Sequence, residues 1–100
     1  MHARVTTIEM DPSRIDEAIS EIEGTELPSW RDIEGFRGFT LLADRASGKV
    51  IGTSYWESET QMDASEDQLK GSRQRAAETG GASSAPQVER FAVALDTFER

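Results

Sequence analysis

Apolar and polar positions alternate along four short stretches of this chain and recur at helical spacing along two longer ones. Residues 2 to 9, HARVTTIE, put Ala3, Val5 and Thr7 on one face and His2, Arg4, Thr6 and Ile8 on the other, which predicts a first strand. Asp11 can cap a following helix with Pro12 at its first position, where a missing N–H is harmless. Ile15, Ala18, Ile19 and Ile22 then form one stripe, opposite Asp16, Glu17, Glu21 and Glu23. Gly24 is expected to end or loosen this helix, and Pro28 to interrupt it. Leu27, Trp30 and Ile33 carry an apolar thread onward, as a short helical turn after Pro28 or an ordered connection.

Residues 36–43 and 50–57 predict two strands of a hairpin, joined by a polar loop that ends at Gly48 and Lys49. Both strands carry apolar residues on both faces. Phe36 and Leu42 stand against Phe39 and Leu41, with a twist or bulge near Gly38, and Ile51 and Tyr55 against Val50 and Trp56. Ser58 followed by Gln61 is a capping box for a second helix from about Glu59 to Thr79. Its thin apolar stripe is Met62, Ser65, Leu69, Ala76 and Ala77. After a linker-like stretch from Gly80 to Pro86, residues 88–98 predict the last strand.

The order is β-α-β-β-α-β, an α+β class chain of the ferredoxin-like kind with a four-stranded antiparallel sheet. Two helices can cover one sheet face only. The hairpin's second apolar face then calls for another copy of the chain, sheet against sheet, in a homodimer.

Composition narrows the function classes. One hundred residues fit a single domain spanning 1–100, and a hydrophobic share of 36% is low for a self-sufficient monomer. Nineteen acidic against 11 basic residues give a formal charge of −8, which disfavours nucleic acid and an anionic membrane surface. No cysteine is present, so thiolate metal sites and thiol nucleophiles are excluded. The first residues lack the apolar segment of a secretory signal, and no run is long enough to span a bilayer, so a cytoplasmic location is expected.

Several residues can carry chemistry, each with a plainer structural reading beside it. Trp56 can stack on a flat aromatic substrate or simply pack. Tyr55, on the other face, can shuttle a proton or sit at a dimer interface. Arg4, Arg37 and Arg90 lie on three strands and can orient a phenolate, enolate or carboxylate, or pair with acids. Arg90 stands out because the small Ala92 and Ala94 share its face. Trp56, Tyr55 and Arg90 are thus the candidate catalytic residues, and Arg4, Arg37, Phe39 and Trp30 the candidate substrate-binding ones. His2 is the single histidine, at a position prone to fray. Glu59, Asp63 and Asp67 follow helical spacing but read as a solvated face, so no metal site is expected.

The motifs Gly35-Phe36-Arg37-Gly38, Leu41-Leu42, Asp44-Arg45 with Ser47-Gly48, Trp56-Glu57-Ser58 and Val88-Glu89-Arg90-Phe91 resemble the antibiotic biosynthesis monooxygenase family of the dimeric α+β barrel superfamily. The resemblance implies two sheets fused into a barrel-like homodimer, with a pocket between sheet and helices in each subunit. It implies oxygenation of a small aromatic or quinol-type substrate with no metal, flavin or prosthetic group; other members degrade haem. The alternative is a non-catalytic small-molecule-binding or structural dimer module. Two features depart from the active members. The family's asparagine near the end of strand one is missing, where this chain reads Thr6-Thr7-Ile8 and has no asparagine anywhere. The haem degraders' histidine on helix two is also missing, where this chain reads Ser65-Glu66-Asp67.

Overall fold

The structure is a computed structural model and describes residues 1–98. Four strands, β1 (His2–Glu9), β2 (Phe36–Ala43), β3 (Lys49–Trp56) and β4 (Gln87–Ala92), form one antiparallel sheet in the order β2-β3-β1-β4. The helices between them are α1 (Ile15–Glu21), α2 (Leu27–Trp30), α3 (Glu59–Ala64) and α4 (Glu66–Thr79). This is the ferredoxin-like arrangement expected from the alternation of patterns. Among the described residues, no helix is long and apolar enough to cross a membrane.

The hairpin register explains where its apolar residues go. Phe36 pairs with Trp56 and Gly38 with Tyr55, so a bulge at Arg37 absorbs one residue. Phe36 therefore joins Phe39 and Leu41 on the helix side; it does not share the face of Leu42 as the simple alternation predicts. Gly48 closes the loop at φ +89°, against the Met10 carbonyl, where any side chain would collide.

The first helical stretch runs further than Gly24 and Pro28 suggest. Asp11 caps a 3-10 turn at Pro12–Arg14 by accepting from the Ser13 N–H, and α1 follows. A π-helical segment, Ile22–Glu26, then carries the chain into α2, with the Leu27 N–H reaching back to the Ile22 carbonyl. Pro28 thus falls in the first turn of α2, where no N–H is needed.

The second stretch is broken where an unbroken helix was expected. Ser58 caps α3 through the Gln61 N–H, as predicted. At Ser65 the chain bends into α4. The Met62 carbonyl accepts at 2.6 Å from Ser65 Oγ and at 2.6 Å from Arg4 Nη2. The predicted stripe of Met62, Ser65, Leu69, Ala76 and Ala77 is buried throughout, and Ser72 with it.

β4 is shorter than the alternation predicts. It ends at Ala92, opposite His2, and the Val93 N–H makes one more bond to the Met1 carbonyl at 2.9 Å. Residues 93–98 leave the sheet. Leu95 is 89% exposed, and Phe98 turns back edge-on to Tyr55 at 5.1 Å. Ala94 consequently does not flank Arg90 in a strand.

The core lies between sheet and helices in two patches. One gathers Ile8, Met10, Ile15, Ala18, Val50 and Ala77; the other gathers Ile22, Trp30, Trp56, Met62, Leu69 and Ala76. The opposite sheet face carries Leu42, Ile51, Tyr55 and Phe91, with Leu42 61% and Phe91 49% exposed.

Candidate functional site

A cavity of about 60 Å³ lies between the sheet and the helices, at the seam of the two core patches. Its floor includes Thr6, Phe39, Gly52 and Ser54, and its roof Ile22, Trp30, Leu69, Ser72 and Ala76. The Trp30 and Phe39 rings meet edge to face at 4.9 Å and give it an aromatic wall. Space exists because small residues face one another across the layers. Gly52 carries no side chain under the Phe39 ring, and a Cβ there would press on it at 3.2 Å. Two serines hold the indoles in place: Trp30 Nε1 donates to Ser72 Oγ at 3.0 Å, and Trp56 Nε1 to Ser54 Oγ at 2.8 Å.

One end of the cavity is cationic, with Arg4 and Arg73 both lining it. Arg4 is only 2% exposed although it carries a full charge. Nη2 donates to the Met62 carbonyl, Nη1 lies 3.3 Å from Ser65 Oγ, and Nε lies 3.2 Å from Glu66 Oε1. Its guanidinium also stands 5.8 Å from the Trp56 ring centroid. Arg73 Nη2 donates to Glu66 Oε2 at 2.6 Å, and Arg90 reaches Asp63 at 3.3 Å and Glu66 at 3.8 Å. Burial pulls the Arg4 guanidinium below the ordinary arginine range, partly offset by Glu66. Burial alone would raise the Glu66 carboxyl, but the Arg73 hydrogen bond and the charges of Arg73, Arg4 and Arg90 hold it below the usual range.

A second ion pair, between the buried Glu26 and the exposed Arg75, braces the roof from outside. Arg75 Nη2 donates to Glu26 Oε1 at 2.5 Å, with Nε 3.0 Å from the same oxygen. The Arg75 hydrogen bond holds the Glu26 carboxyl down. Burial and the neighbouring Glu26 charge push the Glu21 carboxyl up.

The candidate residues from the sequence separate into distinct places. Arg4, Trp30 and Phe39 meet at the cavity. Trp56 has no exposed surface and lies behind Arg4, with Phe36 edge-on at 5.4 Å. Arg90 sits on the edge strand over α3, half exposed and ion-paired, in a shallow hollow with His2 and Glu59. His2 Nε2 lies 3.2 Å from Glu59. Tyr55 and Arg37 line a hollow on the opposite sheet face with Phe98, and Arg37 pairs with Glu57 at 3.0 Å. Arg73, Ser72, Ser54 and Thr6 escaped sequence reading. Arg73 and Ser72 were within reach of it, since they follow Leu69 by four and three residues and so share its buried face.

No protein-family model matches the chain. Among solved structures, the ActVA-Orf6 monooxygenase of Streptomyces coelicolor, in complex with nanaomycin D, superposes with a TM-score of 0.79 at 17% identity, over 99% of this chain and 92% of its own. A Nitrosomonas europaea protein classed among the antibiotic biosynthesis monooxygenases superposes with a TM-score of 0.73 at 9% identity, over 95% of this chain and 100% of its own. This is the antibiotic biosynthesis monooxygenase fold. The haem degrader MhuD of Mycobacterium tuberculosis, with two haems in its active site, shares it with a TM-score of 0.72 at 20% identity, over 98% of this chain and 100% of its own. At such identities the antibiotic biosynthesis monooxygenase likeness is one of fold. In sequence, the chain is 37% identical over 94 residues to the uncharacterized protein Rv2557 of Mycobacterium tuberculosis, covering 94% of this chain. It is 40% identical over 77 residues to the uncharacterized protein Rv2558 of the same organism, covering 77% of this chain. The chain spans 41% of the length of the first and 33% of the second.

Proposed function

We propose that this chain is a cofactor-independent monooxygenase that acts on a small aromatic or quinol-type molecule held in the cavity of a homodimeric barrel. The observation that carries this reading is the pairing of an aromatic wall, Trp30 and Phe39, with a buried guanidinium, Arg4, at one end of the same space. A ring lies against the wall, and an oxygen that gains negative charge is stabilised by Arg4. For a ring CH₂ beside a carbonyl, one atom of O₂ ends in a new C=O. The other leaves as water with both CH₂ hydrogens, and the substrate supplies all four electrons. Trp56 acts as a positioning residue through the face it turns to Arg4, and Arg90 through Glu66. Tyr55 and Arg37 belong to the open sheet face, where a second copy would cover Leu42, Ile51 and Phe91. A stable interface of that kind buries on the order of 2,000 Å² or more.

The residues present do not fit a haem. Among the described residues no histidine lines the cavity, His2 is turned to Glu59, and the space is about 60 Å³.

One observation favours the second reading, a binding module without turnover. Among the described residues, no His, Tyr, Asp or Glu side chain lines the cavity, so a substrate proton has no acceptor in direct contact. Oxygen uptake with a panel of one-ring quinols separates the two. The oxygenase reading expects uptake that falls at least tenfold in Phe39→Ala. Binding of the same compounds with no uptake leaves the module.

A further inference from the structure

The positive end of the cavity is unbalanced. Three guanidinium groups, Arg4, Arg73 and Arg90, share two carboxylates, Glu66 and Asp63. This is a local excess of positive charge in a chain whose net charge is −8. Glu66 binds this cluster from the side away from the cavity; it is not among the cavity's walls, whereas Arg4 and Arg73 are. The Arg73 side chain spends one nitrogen on Glu66 and makes no other hydrogen bond among the described residues, so its remaining N–H groups are unspent. Arg4 cannot turn away, because Ser65 and the Met62 carbonyl hold its terminal nitrogens. A fixed buried cation and a second cation with unspent donors line a space whose other walls are mostly apolar, apart from the hydroxyls of Thr6, Ser54 and Ser72.

We infer that the cavity selects an anionic ligand, a one-ring carboxylate or phenolate whose oxyanion is taken by Arg73 with Arg4 behind it. This rests on the reading of the cavity as the ligand site. Guanidinium suits the class: it offers paired donors to a carboxylate and stays charged. The volume suits the size. About 60 Å³ holds roughly four to six waters at ~10–15 Å³ each, the scale of a single small ring and not of fused rings. A phenolate that arrives deprotonated also has no O–H proton to lose, whereas a carboxylate leaves the need for a base at the reacting carbon unchanged.

The test is a calorimetric or NMR titration of the full chain with three one-ring probes of similar size: benzoate, benzyl alcohol and benzylammonium. The expected result is that benzoate binds at least tenfold more tightly than benzyl alcohol and that benzylammonium binds most weakly. In Arg73→Gln the benzoate preference disappears while benzyl alcohol binding is kept, and Arg73→Lys restores part of the preference. A melting curve confirms that each variant is folded; Arg4 is left intact because it also holds the α3–α4 bend. Equal binding of benzoate and benzyl alcohol, or a preference that survives Arg73→Gln, overturns the anion selectivity and leaves the cavity reading standing. Failure of all three probes to bind overturns both.

Discussion

Arg4 Nη2 donates to the Met62 carbonyl at 2.6 Å, and that bond joins the first strand to the place where the second helical stretch breaks. The carbonyl would otherwise belong to a continuous helix. Arg4 takes it over from below, Ser65 Oγ takes it from beside, and Glu66 begins a new helix that places Leu69, Ser72, Arg73 and Ala76 over the cavity. Replacing Arg4 with Met roughly keeps the volume but removes every bond that Arg4 makes to Ser65 and the Met62 carbonyl, and leaves Glu66, still paired with Arg73, short of a partner. The expected loss is about 2–4 kcal/mol, at or below the range for breaking a buried pair. Urea unfolding measures it, and a loss under about 0.5 kcal/mol contradicts this role.

Acid should weaken the fold through its lowered carboxyls. Glu26 is held down by the Arg75 hydrogen bond, and Glu66 by Arg73 and its neighbours against the upward pull of burial. A lowered carboxyl contributes stability that is present above its unfolded value, about 4.3 for Glu, and is lost as pH falls through the folded value. Glu21, raised by burial and by Glu26, works the other way and relaxes as pH drops through its raised value. Asp11 and Asp44, also held down by hydrogen bonds, add to the two lowered glutamates against Glu21, and the urea midpoint is expected to hold near neutrality and fall below about pH 4.5. Glu26→Gln and Glu66→Gln should each flatten that fall. An unchanged slope in both variants contradicts the assignment.

Two glycines should respond in opposite directions. Gly48 sits at φ +89° with the Met10 carbonyl where a side chain would go, so Gly48→Ala is expected to cost about 1–3 kcal/mol. Gly24 lies in a helical segment with open space around it, so Gly24→Ala is expected to stabilise by about 0.5–1 kcal/mol. Thermal melts of the pair check this, and a shift of the same sign in both contradicts it.

Much of this architecture is legible in the residues, and the exceptions have physical causes. Alternation gave β1 its bounds and faces because every second side chain meets a helix. The stripe from Met62 to Ala77 gave the buried face of helix two for the same reason. What alternation cannot supply is a tertiary hydrogen bond. Nothing near Ser65 in sequence announces that Arg4, 61 residues earlier, will take the Met62 carbonyl. β4 stops at Ala92, with one last bond from the Val93 N–H to the Met1 carbonyl, although apolar residues continue beyond it. The cavity was half visible: Trp30, Phe39 and Arg4 were candidates, whereas Arg73 looked like one of several surface cations of an amphipathic helix.

The uncovered sheet face should bring two chains together. Leu42 and Ile51 are cross-strand partners on that face, and Leu42 is 61% exposed. Sedimentation equilibrium at micromolar concentration is expected to give twice the chain mass of 11.1 kDa, and Leu42→Lys with Ile51→Lys to return it to one chain. A single-chain mass for the unmodified protein contradicts the proposed barrel.

The most direct test of the account is where a small aromatic ring binds. Amide shifts recorded while benzoate is added to the full chain should move first at Phe39, Gly52, Leu69, Arg73 and Ala76, around the cavity between sheet and helices. Shifts confined instead to Arg37, Thr40, Tyr55 and Phe98, in the hollow on the opposite face, would contradict it.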